Sequence, residues 1–109
     1  MRPYQMENAN VSEFIETITY SEAYVLFHEK VYFFDGPSIV NGEECCRFQV
    51  YWFERIAEGR IRAHLVYEVA AQNPVSCINA FLKAKIWEGK SFFDVEQEMR
   101  WINDEMDVE

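Results

Sequence analysis

Six residues in the middle of the chain carry side chains that acid–base chemistry or molecular recognition would use. They alternate along two segments that we predict to be strands, and they are Arg47, Tyr51, Phe53, Arg62, His64 and Glu68. The imidazole of His64 can titrate near neutral pH, but Glu68 is roughly 13–14 Å further along an extended strand, too far for a direct hydrogen bond. Because Tyr51 and Phe53 make this set apolar, we interpret it as a binding surface rather than a catalytic centre.

The sequence contains no complete catalytic, phosphate-binding or metal-binding motif. Gly89-Lys90-Ser91 has the form of the end of a phosphate-binding loop, but Ala84 occupies the position of that loop's first glycine. His28 and His64 are not at metal-ligand spacing from each other or from a carboxylate. We therefore expect no catalytic residue, no metal and no cofactor.

The charge of the chain restricts its partners. Its 109 residues include 10 basic and 19 acidic side chains, which gives a net charge of −9. A protein that neutralises phosphates has the opposite excess, so direct nucleic-acid binding is not expected. Four acidic residues form one face of a predicted C-terminal helix, and they are Glu96, Glu98, Asp104 and Glu105. Such a face would attract a basic partner.

The expected compartment follows from what the sequence lacks. It has neither the apolar segment of a secretory signal nor the ~18 uninterrupted apolar residues of a membrane-spanning helix, so we expect a cytoplasmic protein without membrane contact. The cysteines are the adjacent Cys45 and Cys46 and the distant Cys77. An odd count without a Cys-x-x-Cys pair argues against a disulfide framework or a structural zinc. We interpret all three as reduced and packed as small apolar side chains.

Alternation of apolar and polar residues predicts two antiparallel hairpins. The first covers residues 23–35, where Glu29 and Lys30 separate two aromatic runs. Loop signals follow at Asp35-Gly36-Pro37-Ser38 and at Asn41-Gly42. The second hairpin pairs residues 46–53 with residues 61–71, where the alternation is most regular.

The second hairpin has a register that a structure can test. If residues 55–60 form its loop, Glu54 lies opposite Ile61 and every later pair is fixed. One face then holds Trp52, Val50 and Phe48 with apolar partners, as a core face would. The opposite face pairs Phe53 with Arg62, Tyr51 with His64, Gln49 with Val66, and Arg47 with Glu68. Cation–π, aromatic–imidazole and ionic contacts would stabilise that second face.

Capping residues predict helices on both sides of the hairpins. Asn10 can cap a short helix with Val11, Phe14 and Ile18 along one side, although β-branched residues between positions 15 and 19 leave an edge strand as the alternative. Asn73-Pro74 begins a helix that Gly89 ends. Its stripe consists of Val75, Ile78, Leu82 and Ile86, and the stripe of a second helix capped by Ser91 consists of Phe92, Val95, Met99 and Ile102.

Together these elements predict one α+β domain over residues 1–109, with frayed ends at about 1–9 and 104–109. We expect a short N-terminal helix, an antiparallel sheet of about four strands in two hairpins, and two C-terminal helices packed on one sheet face. The second of those helices would carry the acidic face.

For function, we predict a non-enzymatic protein-binding module of inhibitor, immunity or regulatory type. It would act through the aromatic sheet face or through the acidic helix, on a protein partner that the net charge suggests is basic. A homodimer is one form of such contact. Two alternatives stay open: a small-molecule-binding protein or small enzyme with a pocket between sheet and helices, and a structural subunit of a larger assembly.

Overall fold

The alternating segments of the sequence form an antiparallel sheet, and a further strand joins it. The computed structural model describes Met6 and residues 8–39 and 46–102. Its elements are α1 (Val11–Tyr20), β1 (Ala23–Phe27), β2 (Lys30–Ile39), β3 (Cys46–Ala57), β4 (Arg60–Ala71), α2 (Pro74–Lys83), α3 (Phe92–Val95), one 3₁₀ turn (Glu96–Glu98) and β5 (Met99–Ile102). The strand order across the sheet is β4-β3-β2-β1-β5. The predicted α+β class is confirmed, with five strands in place of about four.

Helix α1 forms as its cap and its apolar spacing predict, so the edge-strand alternative is wrong. The Asn10 side chain accepts hydrogen bonds from the backbone N–H groups of Ser12 and Glu13 at 2.8 and 3.2 Å. This satisfies two of the donors that a helix start leaves unpaired. Phe14 and Ile18 are buried on the side that faces the sheet.

The first hairpin is confirmed, but its second strand is longer than expected. His28 and Glu29 form a two-residue turn in which both φ angles are positive, at 49° and 66°, the backbone geometry that matches the twist of paired strands. The loop predicted at residues 35–38 lies instead within β2, where the pairing with β3 is irregular between Asp35 and Ser38. Asn41-Gly42 lies outside the described residues.

A close contact explains why the irregular segment of β2 contains a glycine at position 36. A Cβ at position 36 would overlap the backbone carbonyl of Ser21, the C-cap residue that follows α1. Because only glycine leaves room for that carbonyl, the end of α1 can lie directly against β2.

The predicted register of the second hairpin is wrong. The strands are joined by the two-residue turn Glu58-Gly59, in which Gly59 has a φ of +74°, and the expected six-residue loop is absent. Phe53 pairs with Ala63, one residue from its predicted partner, whereas Val50 pairs with Tyr67, two residues from its predicted partner. The change occurs at a bulge between Val50 and Tyr51, where Val66 is the extra residue on β4.

The C-terminal region departs most from the prediction. Helix α2 begins at Pro74 with Asn73 as its cap, as expected, but it ends at Lys83, before the predicted end at Gly89. The buried residues of α2 are Cys77, Ile78 and Phe81. The Ser91–Asp94 capping box also forms. The helix that it begins has only four residues, however, and the chain then turns into β5, which pairs with β1.

Aromatic side chains fill the space between the helices and one face of the sheet. Phe14, Phe34, Phe81, Phe92 and Trp87 contact one another with ring centroids 5.3–6.4 Å apart. Every described helix contributes buried residues to this one cluster. In the described ranges, α1, α2 and α3 therefore cover the same face of the sheet.

Two further groups of residues complete this core. Cys46 and Cys77 are buried and unpaired by disulfide, as expected of small apolar side chains, and burial raises the pKa of the Cys77 thiol; Cys45 lies outside the described residues. Within the stretch where a frayed start was expected, Met6 packs in the core.

Among the described helices, none combines the length and hydrophobicity needed to span a membrane.

Candidate interaction surface

The sheet has a second face, which we call the open face, opposite the helices. Side chains alternate between the faces of a strand, so the neighbours of the buried Val25, Phe34 and Val50 lie on it. Across the described sheet, the apolar residues of the open face are Tyr24, Leu26, Val31, Phe33, Tyr51, Phe53, Ile61, Ala63, Leu65, Ala70 and Ile102. No described helix covers them.

Four aromatic rings form a connected cluster at the centre of the open face. Phe33 lies 4.9 Å from Tyr24, 5.8 Å from Phe53 and 6.5 Å from Tyr51, measured between ring centroids. All four side chains are half-buried by one another. Beside them on β4, Leu65 is 51% exposed. This is a continuous apolar surface built on four neighbouring strands.

A polar network orients one side of this cluster. The Tyr51 hydroxyl donates to Gln49 Oε1 at 2.8 Å, and Gln49 Nε2 donates to Glu68 Oε2 at 2.5 Å. Glu68 also lies 3.8 Å from the Nε atom of Arg47. The chain of contacts fixes the Tyr51 ring by its polar end, so its apolar face stays available on the sheet surface.

The six residues predicted to form one surface are divided between both faces. Arg47, Tyr51, Phe53 and Glu68 lie on the open face, and Arg62 and His64 do not. The extra residue Val66 reverses the alternation of β4, so Arg62 and His64, which precede it, lie on the helix side.

His64 consequently has different partners from those predicted. Its ring stacks on Trp52 at 4.7 Å, and its Nε2 atom is 2.7 Å from Glu54 Oε1. The ammonium of Lys30 lies 4.9 Å from the centroid of the same Trp52 ring. Tyr51 is not a partner of His64, so the acid–base arrangement considered from the sequence does not form.

The predicted acidic helix face does not form either. Glu96 is fully buried, and Glu98 contacts His28 rather than lying on a solvated helix surface. Asp104 and Glu105 lie outside the described residues. The reason is that residues 99–102 form a strand, so the predicted helix does not continue through them.

One polar cluster was not anticipated, and we call it the His28 corner: His28, Glu88 and Glu98. The His28 Nδ1 atom is 3.1 Å from Glu88 Oε2, and Nε2 is 2.7 Å from Glu98 Oε1. Hydrogen bonds to Glu98 and then to Glu88 raise the pKa of His28 above its ordinary value of 6.5. Because these partners are 60 and 70 residues away, no local sequence pattern could have identified the cluster.

The His28 corner adjoins a small cleft. The cleft measures about 250 Å³, and Phe27, Trp87, Lys90 and Val95 complete its walls. Burial and the nearby charge of Glu88 raise the pKa of Tyr32. Glu88 and Glu98 contact different nitrogens of the His28 ring, which point in opposite directions, so their carboxylates do not converge on one ion. Within the described residues, no group of His, Cys, Asp and Glu is suited to hold a metal. At this volume the cleft is smaller than most ligand pockets, which occupy ~300–1,000 Å³.

Comparison of the chain with protein-family models, with curated protein sequences and with solved structures found no match.

Proposed function

We propose that this chain is a non-enzymatic protein-binding module that contacts a protein partner through the open face. The observation that supports this is the difference in covering: the described helices lie on one face of the sheet, and an aromatic cluster lies on the other. An antiparallel sheet with one solvated face normally presents polar side chains there. Here the centre of that face is aromatic.

The composition of the open face supports the same proposal. Tyrosine and arginine are enriched at the centres of protein interfaces, because they supply a large contact area together with hydrogen-bonding groups. Tyr24 and Tyr51 lie in the aromatic cluster, and Arg47 lies at its side. Since strands position these residues, little conformational entropy is lost when a partner binds.

The alternatives have less support in the described residues. An enzyme pocket between sheet and helices would need space that the rings of Phe34, Phe48 and Phe81 fill, with centroids 5.2–6.4 Å apart. Contact through an acidic helix would need Glu96, which is buried.

The test is affinity capture from native lysate with the tagged chain and two variants of β3. Tyr51→Ala combined with Phe53→Ala removes two rings from the open face. Trp52→Ala removes one ring from the strand position between them, on the opposite face, and serves as the control. We expect the double variant to lose the captured protein and the Trp52→Ala variant to keep it, with circular dichroism confirming that both are folded. Equal capture by both variants would count against the proposal.

Salt separates this proposal from a charge-driven one. Binding through an apolar surface should persist when the ionic strength is raised, because screening weakens contacts between charges and leaves burial of apolar area intact. A captured partner that is released by moderate salt would indicate contact through carboxylates instead.

A further inference from the structure

We propose that the partner of the open face is a second copy of this chain, with the two open faces packed against each other about a two-fold axis. This inference rests on the proposed function and names the occupant of the same surface. In such a dimer each sheet has helices outside and its aromatic cluster inside, as in a four-layer sandwich.

The charge of the open face favours a second copy over a basic or an acidic partner. Among the described residues, register and alternation place five charged ones on it, namely Asp35, Arg47, Arg55, Glu68 and Arg100. Two are acidic and three are basic, in a chain whose net charge is −9. A basic partner would find no excess of carboxylates here, and a nucleic acid would find too few cations. A surface with both signs in near balance is complementary to itself, because a two-fold axis can bring acidic groups opposite basic ones.

The area of the open face is sufficient for a dimer. The strands contain 5, 10, 12, 12 and 4 residues, and each strand residue occupies roughly 16 Å² of a sheet with strands ~4.8 Å apart. One face therefore covers about 690 Å², and two packed faces bury about 1,400 Å². Stable specific interfaces bury about 1,200–2,000 Å².

The edges of the sheet are poorly suited to pairing, which leaves the face as the surface of contact. At one edge, β4 is interrupted by the bulge at Val66. At the other edge, β5 has only four residues, and the Asn8 side chain both donates to the Trp101 carbonyl and accepts from the Trp101 N–H, at 2.7 and 2.8 Å. Bulges, short strands and covered backbone groups are the features by which natural sheets prevent edge-to-edge association.

Two variants matched in chemistry and exposure test the proposal. Leu65 on the open face is 51% exposed and Val75 on α2 is 50% exposed, so Leu65→Glu and Val75→Glu each add one carboxylate at an exposed aliphatic position. Sedimentation equilibrium over a range of concentrations gives the mass of the full-length chain and of both variants. We expect the original chain and Val75→Glu to have the mass of a dimer, and Leu65→Glu to have a dissociation constant at least tenfold higher.

Two results would overturn the inference. One is a monomeric mass for the original chain at every concentration, and the other is a dimer that both variants weaken equally or not at all. If Leu65→Glu does not fold, the Tyr51→Ala, Phe53→Ala double variant and its Trp52→Ala control supply the same comparison. A monomer that still captures another protein through Tyr51 and Phe53 would refute the second copy and retain the protein-binding module, whereas a monomer without such capture would refute both.

Discussion

Phe33 and Phe34 are adjacent in β2 and lie on opposite faces of the same sheet, so a comparison of the two shows how the faces differ. Phe34 is completely buried and contacts the rings of Phe14, Phe48 and Phe81, two of which come from helices. Phe33 is half-buried, and it contacts the rings of Tyr24, Tyr51 and Phe53, which lie on neighbouring strands. Identical side chains at adjacent positions thus have different roles. Phe34 packs the helices against the sheet, whereas Phe33 contacts side chains of the sheet and forms part of its open face.

The largest expected effect tests this difference directly. Phe34→Ala should destabilise the fold by about 3–5 kcal/mol, because it removes a ring from a closely packed core and leaves a cavity. Phe33→Ala should cost less than half as much in the monomer, since solvent can occupy the vacated space. Urea denaturation monitored by circular dichroism measures both free energies of unfolding. Equal losses would show that the open face is as much a part of the core as the covered face.

A second test concerns the place where α1 ends against β2. Gly36→Ala should destabilise by about 1–3 kcal/mol, because the added methyl group must displace the Ser21 carbonyl. Gly59→Ala is an informative companion, since no atom of the described residues lies within 4 Å of the Cβ position there and only the positive φ opposes the change. Thermal unfolding compares the variants. If Gly36→Ala is neutral, the Ser21 carbonyl does not lie against Gly36 in solution.

A third test concerns α2, which covers β3 and β4. The Asn73 side chain accepts a hydrogen bond from the Ser76 N–H at 2.9 Å, so Asn73→Ala should cost about 0.5–2 kcal/mol by removing the cap. Asn79→Ala makes the same chemical change at an exposed position inside the helix, where alanine is the better helix former, and should not destabilise. Similar losses in both variants would mean that the cap does not contribute to stability. Neither change should alter binding through the open face.

The smallest expected effect concerns the His28 corner, whose side chains are exposed to solvent, in contrast to those of the core. The pKa of His28 is raised, so its protonated form is favoured in the folded state. The stabilisation is complete below the unfolded value near 6.5 and is lost as pH rises through the higher folded value. The chemical shifts of the His28 imidazole protons, measured by NMR as a function of pH, should therefore titrate above pH 6.5.

Two variants of exposed glutamates check the cause of that shift. Glu98→Gln should lower the pKa of His28, because the hydrogen bond to Glu98 is its largest cause. Glu16→Gln on α1 should leave it in place. An unchanged titration in Glu98→Gln would show that the His28–Glu98 contact does not form in solution.

Local patterns predicted the elements whose causes are local. The alternation in residues 46–53 and 61–71 predicted β3 and β4, and the cap residues Asn10 and Asn73 predicted where α1 and α2 begin. The register could not be obtained in this way, since it depends on a two-residue turn and on two extra residues, Ile56 in β3 and Val66 in β4. An error of one residue exchanges the faces of a strand, which is why His64 and Arg62 were assigned to the wrong surface.

Contacts distant in sequence explain the other differences. Phe92, Val95, Met99 and Ile102 have the spacing of a helical stripe, yet Met99 and Ile102 belong to a strand because the edge of β1 offers backbone partners to them. The His28 corner depends on that same docking, since Glu98 immediately precedes β5. Of the predicted surface, Arg47, Tyr51 and Phe53 share the open face because they alternate along β3. Glu68 joins them because its pairing is displaced by two residues, which keeps it on the predicted side.

The position of β5 also has a consequence for the order of folding. Strands β1 and β2 are joined by a two-residue turn, and so are β3 and β4, whereas Phe27 of β1 pairs with Met99 of β5 across 72 positions. Closing so long a loop costs more entropy than closing a hairpin. The hairpins should therefore form early and the last strand should dock late. In native-state hydrogen exchange, the amides of residues 99–102 should open at a lower free energy than those of β3.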